Sequence, residues 1–339
     1  MSPEPPLVSI VICNYNYERY IDAAVDSALS QTYPRIEVVV VDDGSTDGSL
    51  SRLTQRGQAI QLVAQANGGQ INAYNTGYAK ASGDYLVFLD ADDVLDADTV
   101  AQAMADLDPR TARVHFRLRL INAQGQTLGP VIPRYLSDGE LSTEIKDRGH
   151  LVPSAPGSGN LYSRAILQRL MPIPIDPHDR HGADFYIIYG ASLLGLTRAL
   201  AAVRGGYRVH SEATAAESSL VFGNAATKVD EYALVQRRAE NFKHWIQDRT
   251  GMVIKVPLVD FGVEKQSFAK TLFAADTYGK RVQRGVAALP RLTRAIWMRR
   301  FESLPRRAGL IGWALCVILL PRPLALPLAR YVCNPASRT

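Results

Sequence analysis

Cysteine is scarce: Cys13, Cys316 and Cys333 lie far apart in a chain of 339 residues. That excludes a disulfide framework or a zinc knuckle and fits a reducing, cytosol-facing compartment. The opening "MSPEPPLVSIVIC" lacks a basic segment followed by a long apolar one, so no secretory leader is expected. Long apolar runs are missing from the tail as well. The stretch "AGLIGWALCVILL", Ala308–Leu320, has 13 residues, whereas a spanning helix needs about 20. Acidic residues are almost absent from one region. Residues 280–339 hold twelve Lys and Arg against Glu302, a net +11, while the remainder carries −6. The pI near 9.1 therefore belongs to the tail, and a uniformly basic nucleic-acid binder is excluded; no nucleic-acid partner is expected.

The rest is ordinary for a globular protein, with 47% hydrophobic and 21% charged residues. "LVSIVICNYN" reads as a buried strand ending in a polar turn. In "ERYIDAAVDSALSQTY" the apolar residues Ile21, Ala24, Val25, Ala28 and Leu29 recur at helical spacing. "IEVVVVDDGSTDGS" is a second strand and turn, and its four valines suit a strand covered on both faces. "SLSRLTQRG" suits a helix, "IQLVAQ" a short strand, "NGGQINAYNTGYAKASG" a loop and helix, and "DYLVFLDADD" another strand. This alternation predicts a doubly wound α/β domain. Farther on, "ARVHFRLRLINAQGQTLG" reads as a hairpin turning at Gln124-Gly125. "GADFYIIYGASLLG" reads as a helix, "RALAAVRGGYRVH" as strand, and "SLVFGNAATKVDEYALVQRRAENFKHWIQ" as mostly helix.

In open α/β sheets, ligands bind beyond the carboxyl ends of the strands. Three such ends carry polar clusters here: Asn14-Tyr15-Asn16, Asp42-Asp43-Gly44 and Asp90-Ala91-Asp92. Asn, Asp and Gly are also the usual turn residues, but three clusters at three strand ends point to a site. Asp90, Asp92 and Asp93 would repel one another without a counter-charge. A hard divalent cation, Mn²⁺ or Mg²⁺, answers that need, and Mg²⁺ typically takes one or two carboxylates plus substrate phosphates. Asp96 and Asp98 suit a helix N-terminus instead. "HDRH", with His178 and His181, has a loose metal look but no second ligand pair.

The segments "VSIVICNYNYERYIDAAVDSALSQTYPRIEVVVVDDGSTDGS", "NGGQINAYNTGYAKASGDYLVFLDADD" and "GADFY", taken in order, resemble a family 2 glycosyltransferase over roughly residues 7–215. The resemblance implies a GT-A fold: a doubly wound mixed sheet forming the nucleotide-sugar domain. It assigns Asn14, Tyr15, Asn16 and Asp42 to the nucleobase and ribose of the donor, with Asp43, Asn67, Gly68, Gly69 and Asp90 beside the nucleotide. Asp90 and Asp92 would form the metal-binding pair, joined by His210, and Arg208 and His210 would reach the diphosphate. Asp184 would be the catalytic base. Its place near a helix start leads us to expect that the helix N-terminus favours the ionised form. Many relatives carry Arg where Tyr74 stands, so a contact is expected to be missing there. Ala183 leaves Asp184 as the sole carboxylate of "GADFY". Ser158–Asn160 would line the acceptor side.

These readings predict residues 1–215 as the catalytic domain, 216–279 as a helical extension and 280–339 as a basic, apolar segment at the membrane interface. The basic residues would attract anionic lipid, the run at Ala308–Leu320 would be interfacial, re-entrant or buried, and Trp297 and Trp313 would sit at headgroup level. "LALPLARYV" should not be a regular helix throughout because of Pro327. The expected activity is metal-dependent, inverting sugar transfer from a nucleotide-sugar, UDP favoured, to a lipid-linked glycan. It would occur at the cytoplasmic face of the cell membrane during cell-surface polysaccharide synthesis. Transfer to a protein or soluble acceptor, or an inactive sugar-nucleotide-binding module, are the alternatives. A nucleotidyltransferase is disfavoured because no Gly- and Lys/Arg-rich phosphate loop follows the first strand.

Overall fold

The computed structural model describes residues 4–105, 107–210, 231–299 and 302–333. Its first half is a parallel sheet in the order β3-β2-β1-β4, formed by β1 (Val8–Asn14), β2 (Ile36–Asp42), β3 (Gln61–Ala64) and β4 (Tyr85–Asp90). The crossovers are α1 (Ile21–Leu29), α2 (Ser49–Gln55) and α3 (Gln70–Lys80). Side chains on a strand alternate between faces, and here each face has its own core. Ile10, Ile12, Val38 and Val40 pack with Ile21, Ala24 and Val25 of α1. Val11 and Val39 pack with Ile71 and Tyr74 of α3 on the other face. The valine run is therefore apolar throughout because both of its faces are covered.

The sheet continues through mixed pairings. After β5 (Val94–Leu95), α4 (Thr99–Met104), β6 (Thr111–Ile121) and β7 (Thr127–Ile132) come α5 (Ser142–Lys146), β8 (Asn160–Ser163) and α6 (Arg164–Leu170). They are followed by α7 (Ala183–Leu194) and β9 (Leu196–Arg208). The order runs on as β4-β8-β6-β9-β5, with β8 antiparallel to both neighbours and β9 parallel to β6. The β6–β7 hairpin turns at Gly125, as expected. α7 is buried along most of its length, which accounts for its nearly uniform apolar composition.

Helix α8 (Glu231–Thr250) places Phe242, Trp245 and Ile246 in the core beside α7. The segment 219–230, read as part of this helix, lies outside the described residues. Then α9 (Phe261–Phe273), α10 (Tyr278–Met298), α11 (Leu304–Leu319) and α12 (Arg322–Cys333) form a bundle around Phe268, Leu272, Ile296, Trp313, Val317 and Ala329. Asp260 caps α9 by accepting from Val263 N (3.0 Å), and Thr277 caps α10 by accepting from Lys280 N (3.3 Å).

Two expectations are corrected here. Trp313 is not at a surface: it is 8% exposed in the bundle core, where Nε1 donates to Leu328 O (2.9 Å). Pro327 does not prevent a helix, because α12 runs through it. The missing N–H removes one intrahelical bond, while Ala325, Ala329 and Cys333 hold the buried stripe in place. The expected boundary at 279/280 falls within the first turn of α10, which shares one core with α9. No helix of the described residues is long and apolar enough to cross a membrane.

Candidate active site

Strand register aligns the polar residues. Asn14 pairs with Asp42 between β1 and β2, and Cys13 with Asp90 between β1 and β4. Three carboxyl ends of parallel strands therefore open at one edge. Asn14 Nδ2 donates to Asp42 Oδ1 (2.8 Å) and to Ser45 Oγ (3.0 Å). Asp42 also accepts from Ser45 Oγ (2.6 Å) and Ser45 N (3.1 Å). Asn16 adopts a left-handed backbone (φ 58°), and its Oδ1 accepts from Thr46 N (2.7 Å). Tyr15 is exposed at 46% and available to a planar ligand. Asn14 Oδ1 is buried with no protein partner among the described residues.

Asp43, expected beside the nucleotide, braces a loop. Its carboxylate accepts from Gln65 Nε2 (2.7 Å), Gly68 N (2.8 Å) and Gly69 N (2.7 Å). It fixes the loop that starts α3, where Gly69 takes a φ of 87° that a side chain would disfavour. Arg180 closes the loop from outside, donating to Asn67 O (2.8 Å) and Gly68 O (3.3 Å). From the "HDRH" loop it is thus the arginine, not a histidine, that reaches the site.

At the end of β4, Asp90, Asp92 and Asp93 diverge. Asp93 is a buried strut, accepting from Ser158 Oγ (2.6 Å) and Arg208 N (2.8 Å). Asp92 Oδ2 lies 2.7 Å from His210 Nε2. The His210 ring sits against Tyr17 and Tyr20, with centroids 5.8 and 5.4 Å away. Arg208, expected at the diphosphate, braces the Asp92 turn. Nε donates to Asp92 O (2.7 Å), Nη1 donates to Asn122 O (2.8 Å), and the guanidinium covers the Tyr20 ring at 4.7 Å.

Asp184 enters from the first turn of α7, whose N-cap is Gly182 in a left-handed conformation. The helix start does favour its charge, through backbone N–H groups of the first turn, but it does not decide the outcome. Burial outweighs it and raises the carboxyl above its ordinary range, opposed by the Arg238 charge and by backbone N–H groups including Phe185 N. Arg238 is held by Asp179 at 2.6 and 2.7 Å. Asp90 is raised by burial, then by Asp92 and Asp184, with Gln70 opposing. Gly157 shows how close these groups come. A methyl placed on it would lie 3.1 Å from Tyr74 Oη, 3.4 Å from Asp184 Cβ and 3.7 Å from Asp90 Oδ2. Tyr74, where a lost contact was expected, brings a hydroxyl to this notch.

Asp90 is pushed up by burial and by the charges of Asp92 and Asp184, and Asp93 by burial and by the charges of Asp92 and Asp90, so the cluster favours a cation. Among the described residues no three His, Cys, Asp or Glu side chains gather closely enough to hold a metal alone. Asp92 Oδ2 and His210 Nε2 do converge, with Asp90 behind them. This donor set fits Mn²⁺ or Mg²⁺ when phosphate oxygens complete the shell. The sequence reading missed Gln70, Ser45, Arg180, Arg238 and Gly157. Apart from Ser45, which also bonds Asp42 three positions away, each acts through a partner distant in the chain, so no local motif marks it.

A family model described as glycosyl transferase family 2 matches residues 9–171. A Nostoc protein called an uncharacterized glycosyltransferase is 37% identical over 215 residues, covering 60% of this chain and 65% of its own. Pasteurella multocida chondroitin synthase is 37% identical over 128 residues, 36% of this chain and 13% of its own. The chain therefore spans less than two thirds of the length of these relatives. The 1–349 fragment of S. aureus TarS, solved with UDP-GlcNAc, aligns with 96% of this chain and 90% of that fragment at TM-score 0.54 and 17% identity, a likeness of fold.

Proposed function

We propose that this chain, which belongs to glycosyl transferase family 2 through residues 9–171, transfers a sugar with inversion from a nucleotide-sugar to a hydroxyl acceptor. The fold is GT-A. One observation carries the reading: Asp184 and Asp90 meet at a single notch over Gly157, and the Asp92–His210 pair follows Asp90 at the same strand end. A base on one side and phosphate-side groups on the other are what in-line displacement at a sugar carbon requires.

Asn14, Asn16 and Asp42 form a pre-organised edge for the nucleobase and ribose, with Tyr15 above it. The Asp43-braced loop at Asn67–Gly69 borders the nucleotide. Asp92 and His210, supported by Asp90, would hold Mn²⁺ or Mg²⁺, which as a Lewis acid neutralises charge developing on the leaving diphosphate. Asp184 takes the proton of the acceptor hydroxyl as it attacks. Its raised pKa suits this task, because a base works best when its pKa approaches the working pH.

UDP is the favoured nucleotide, by analogy with the UDP-GlcNAc complex of TarS. The acceptor reading is a lipid-linked saccharide at the cytoplasmic membrane face, in cell-surface polysaccharide synthesis. Two features support membrane attachment: the +11 charge of residues 280–339, and an outward apolar stripe on α12 made by Leu324, Leu328 and Tyr331. A thermal-shift screen of nucleotide-sugars with Mn²⁺ and Mg²⁺ tests the donor assignment, since a ligand that binds only the native state raises the melting temperature. No shift with any member of the panel would reject it.

A further inference from the structure

Tyr74 is 1% exposed, and its hydroxyl is buried with no protein partner among the described residues. Buried polar groups are normally hydrogen-bonded, and one left unpaired calls for an explanation. The ring cannot swing away to find a partner. It lies flat on Phe88, with centroids 4.4 Å apart and planes 5° from parallel, and Phe88 meets Tyr162 edge-on at 6.3 Å. The hydroxyl is therefore held in one place, at the notch over Gly157 that it shares with Asp184 and Asp90.

We infer that Tyr74 Oη donates a hydrogen bond to a hydroxyl or acetamido oxygen of the transferred sugar and so helps decide which sugar the site accepts. The inference rests on the donor reading above. In an in-line displacement the leaving diphosphate and the attacking hydroxyl lie on opposite sides of the sugar. Asp92 and His210 define the diphosphate side and Asp184 the attacking side, so a group between Asp90 and Asp184 faces the sugar. The absence of a side chain at Gly157 lets Tyr74 Oη, Asp184 and Asp90 Oδ2 close around one point. A rigid phenol aimed at it offers one fixed donor. A site built around such a contact discriminates strongly against a sugar that cannot accept it, because the buried donor is then left unpaired.

The test uses full-length wild type and Tyr74→Phe with Mn²⁺. Phenylalanine keeps the stack on Phe88 and removes only the hydroxyl. UDP affinity is measured by calorimetry. Steady-state UDP release is followed with UDP-GlcNAc, UDP-glucose, UDP-galactose and GDP-mannose. The inference predicts unchanged melting, unchanged UDP affinity, a KM for the preferred sugar nucleotide raised roughly tenfold, and weaker discrimination among the sugars. Deoxy analogues of the preferred donor give a second measurement: one should lose affinity for wild type and lose no more for the variant. An unchanged KM and sugar preference would overturn the inference. So would equal losses for UDP and sugar nucleotide, or a collapse in melting, since each marks a nucleotide-binding or structural role. If wild type binds UDP but neither binds nor turns over any sugar nucleotide, the donor reading itself fails and this inference with it.

Discussion

His210 Nε2 stands 2.7 Å from Asp92 Oδ2, across 118 positions of sequence. This contact ties the end of β9 to the turn after β4, and Arg208 reinforces it by donating to Asp92 O. Both atoms are good ligands for a divalent ion, and under the proposed function the pair would be half of a metal–diphosphate site. Asp92→Asn should abolish metal-dependent UDP binding while the protein stays folded. Calorimetry with and without chelator, together with a melting curve, checks this. Near-wild-type UDP affinity that remains chelator-sensitive would remove Asp92 from the site.

Asp184→Asn should retain nucleotide-sugar binding and lose transfer by about 10²–10⁴-fold, the range for a general base. Measuring donor affinity beside single-turnover transfer separates the two effects. Failed donor binding with high residual turnover would put the base elsewhere.

The pH profile follows from the environment of Asp184. Burial raises its carboxyl, and Arg238 pulls it partly back. A base must be ionised to act, so activity falls as pH drops through the raised pKa. The acid limb of kcat/KM should therefore lie above the ordinary Asp range near 3.9. Arg238→Gln removes the opposing charge, so the limb should move to higher pH. The same variant takes the guanidinium partner from Asp179, which is 2% exposed. Stability should accordingly drop by about 3 kcal/mol, as when one member of a buried pair is removed. A limb that stays in place would dissociate Arg238 from the base.

Gly157→Ala tests the notch directly. The backbone there does not require glycine, but the new methyl would sit 3.1 Å from Tyr74 Oη. Transfer should fall by about 10–100-fold, the scale of a small misplacement at a reacting centre, while UDP affinity is kept. Unaltered transfer would show that the sugar does not use this space.

Membrane attachment is testable without cutting the chain. Truncation before Lys280 would expose the faces of Phe268 and Leu272 that α10–α12 cover. Leu324 and Leu328 are already 58% and 39% exposed, so Leu324→Ser/Leu328→Ser should leave melting nearly unchanged. Co-sedimentation with vesicles containing phosphatidylglycerol should fall in this variant. In both proteins it should weaken as salt screens the arginines. Equal sedimentation of variant and wild type would exclude this face.

The strand ends were readable because parallel strands place their C-terminal polar residues at one edge, and a valine run such as Val38–Val41 has few other uses. Asp184 was readable through resemblance, but its charge state was not. Its pKa is set by burial, which raises it, against Arg238, which lowers it from a position remote in sequence. The bracing role of Asp43 was not legible, because its carboxylate accepts from the backbone N–H groups of Gly68 and Gly69, a contact that only the folded loop creates. Trp313 and Pro327 were misread for a related reason. A short apolar run has the same composition whether it meets lipid or three neighbouring helices, and helix packing tolerates a proline that local rules disfavour.

The central claim is that the Asp92–His210 and Asp184 sides of one notch bind and split a nucleotide-sugar. The most direct test is UDP release from a panel of UDP-sugars by purified wild type, with Mn²⁺ and with chelator, beside Asp184→Asn. The account predicts slow, metal-dependent release by wild type, faster with an acceptor present. It also predicts Asp184→Asn saturating at a similar donor concentration with transfer nearly lost. Release that is indifferent to chelator and equal in wild type and Asp184→Asn would contradict it.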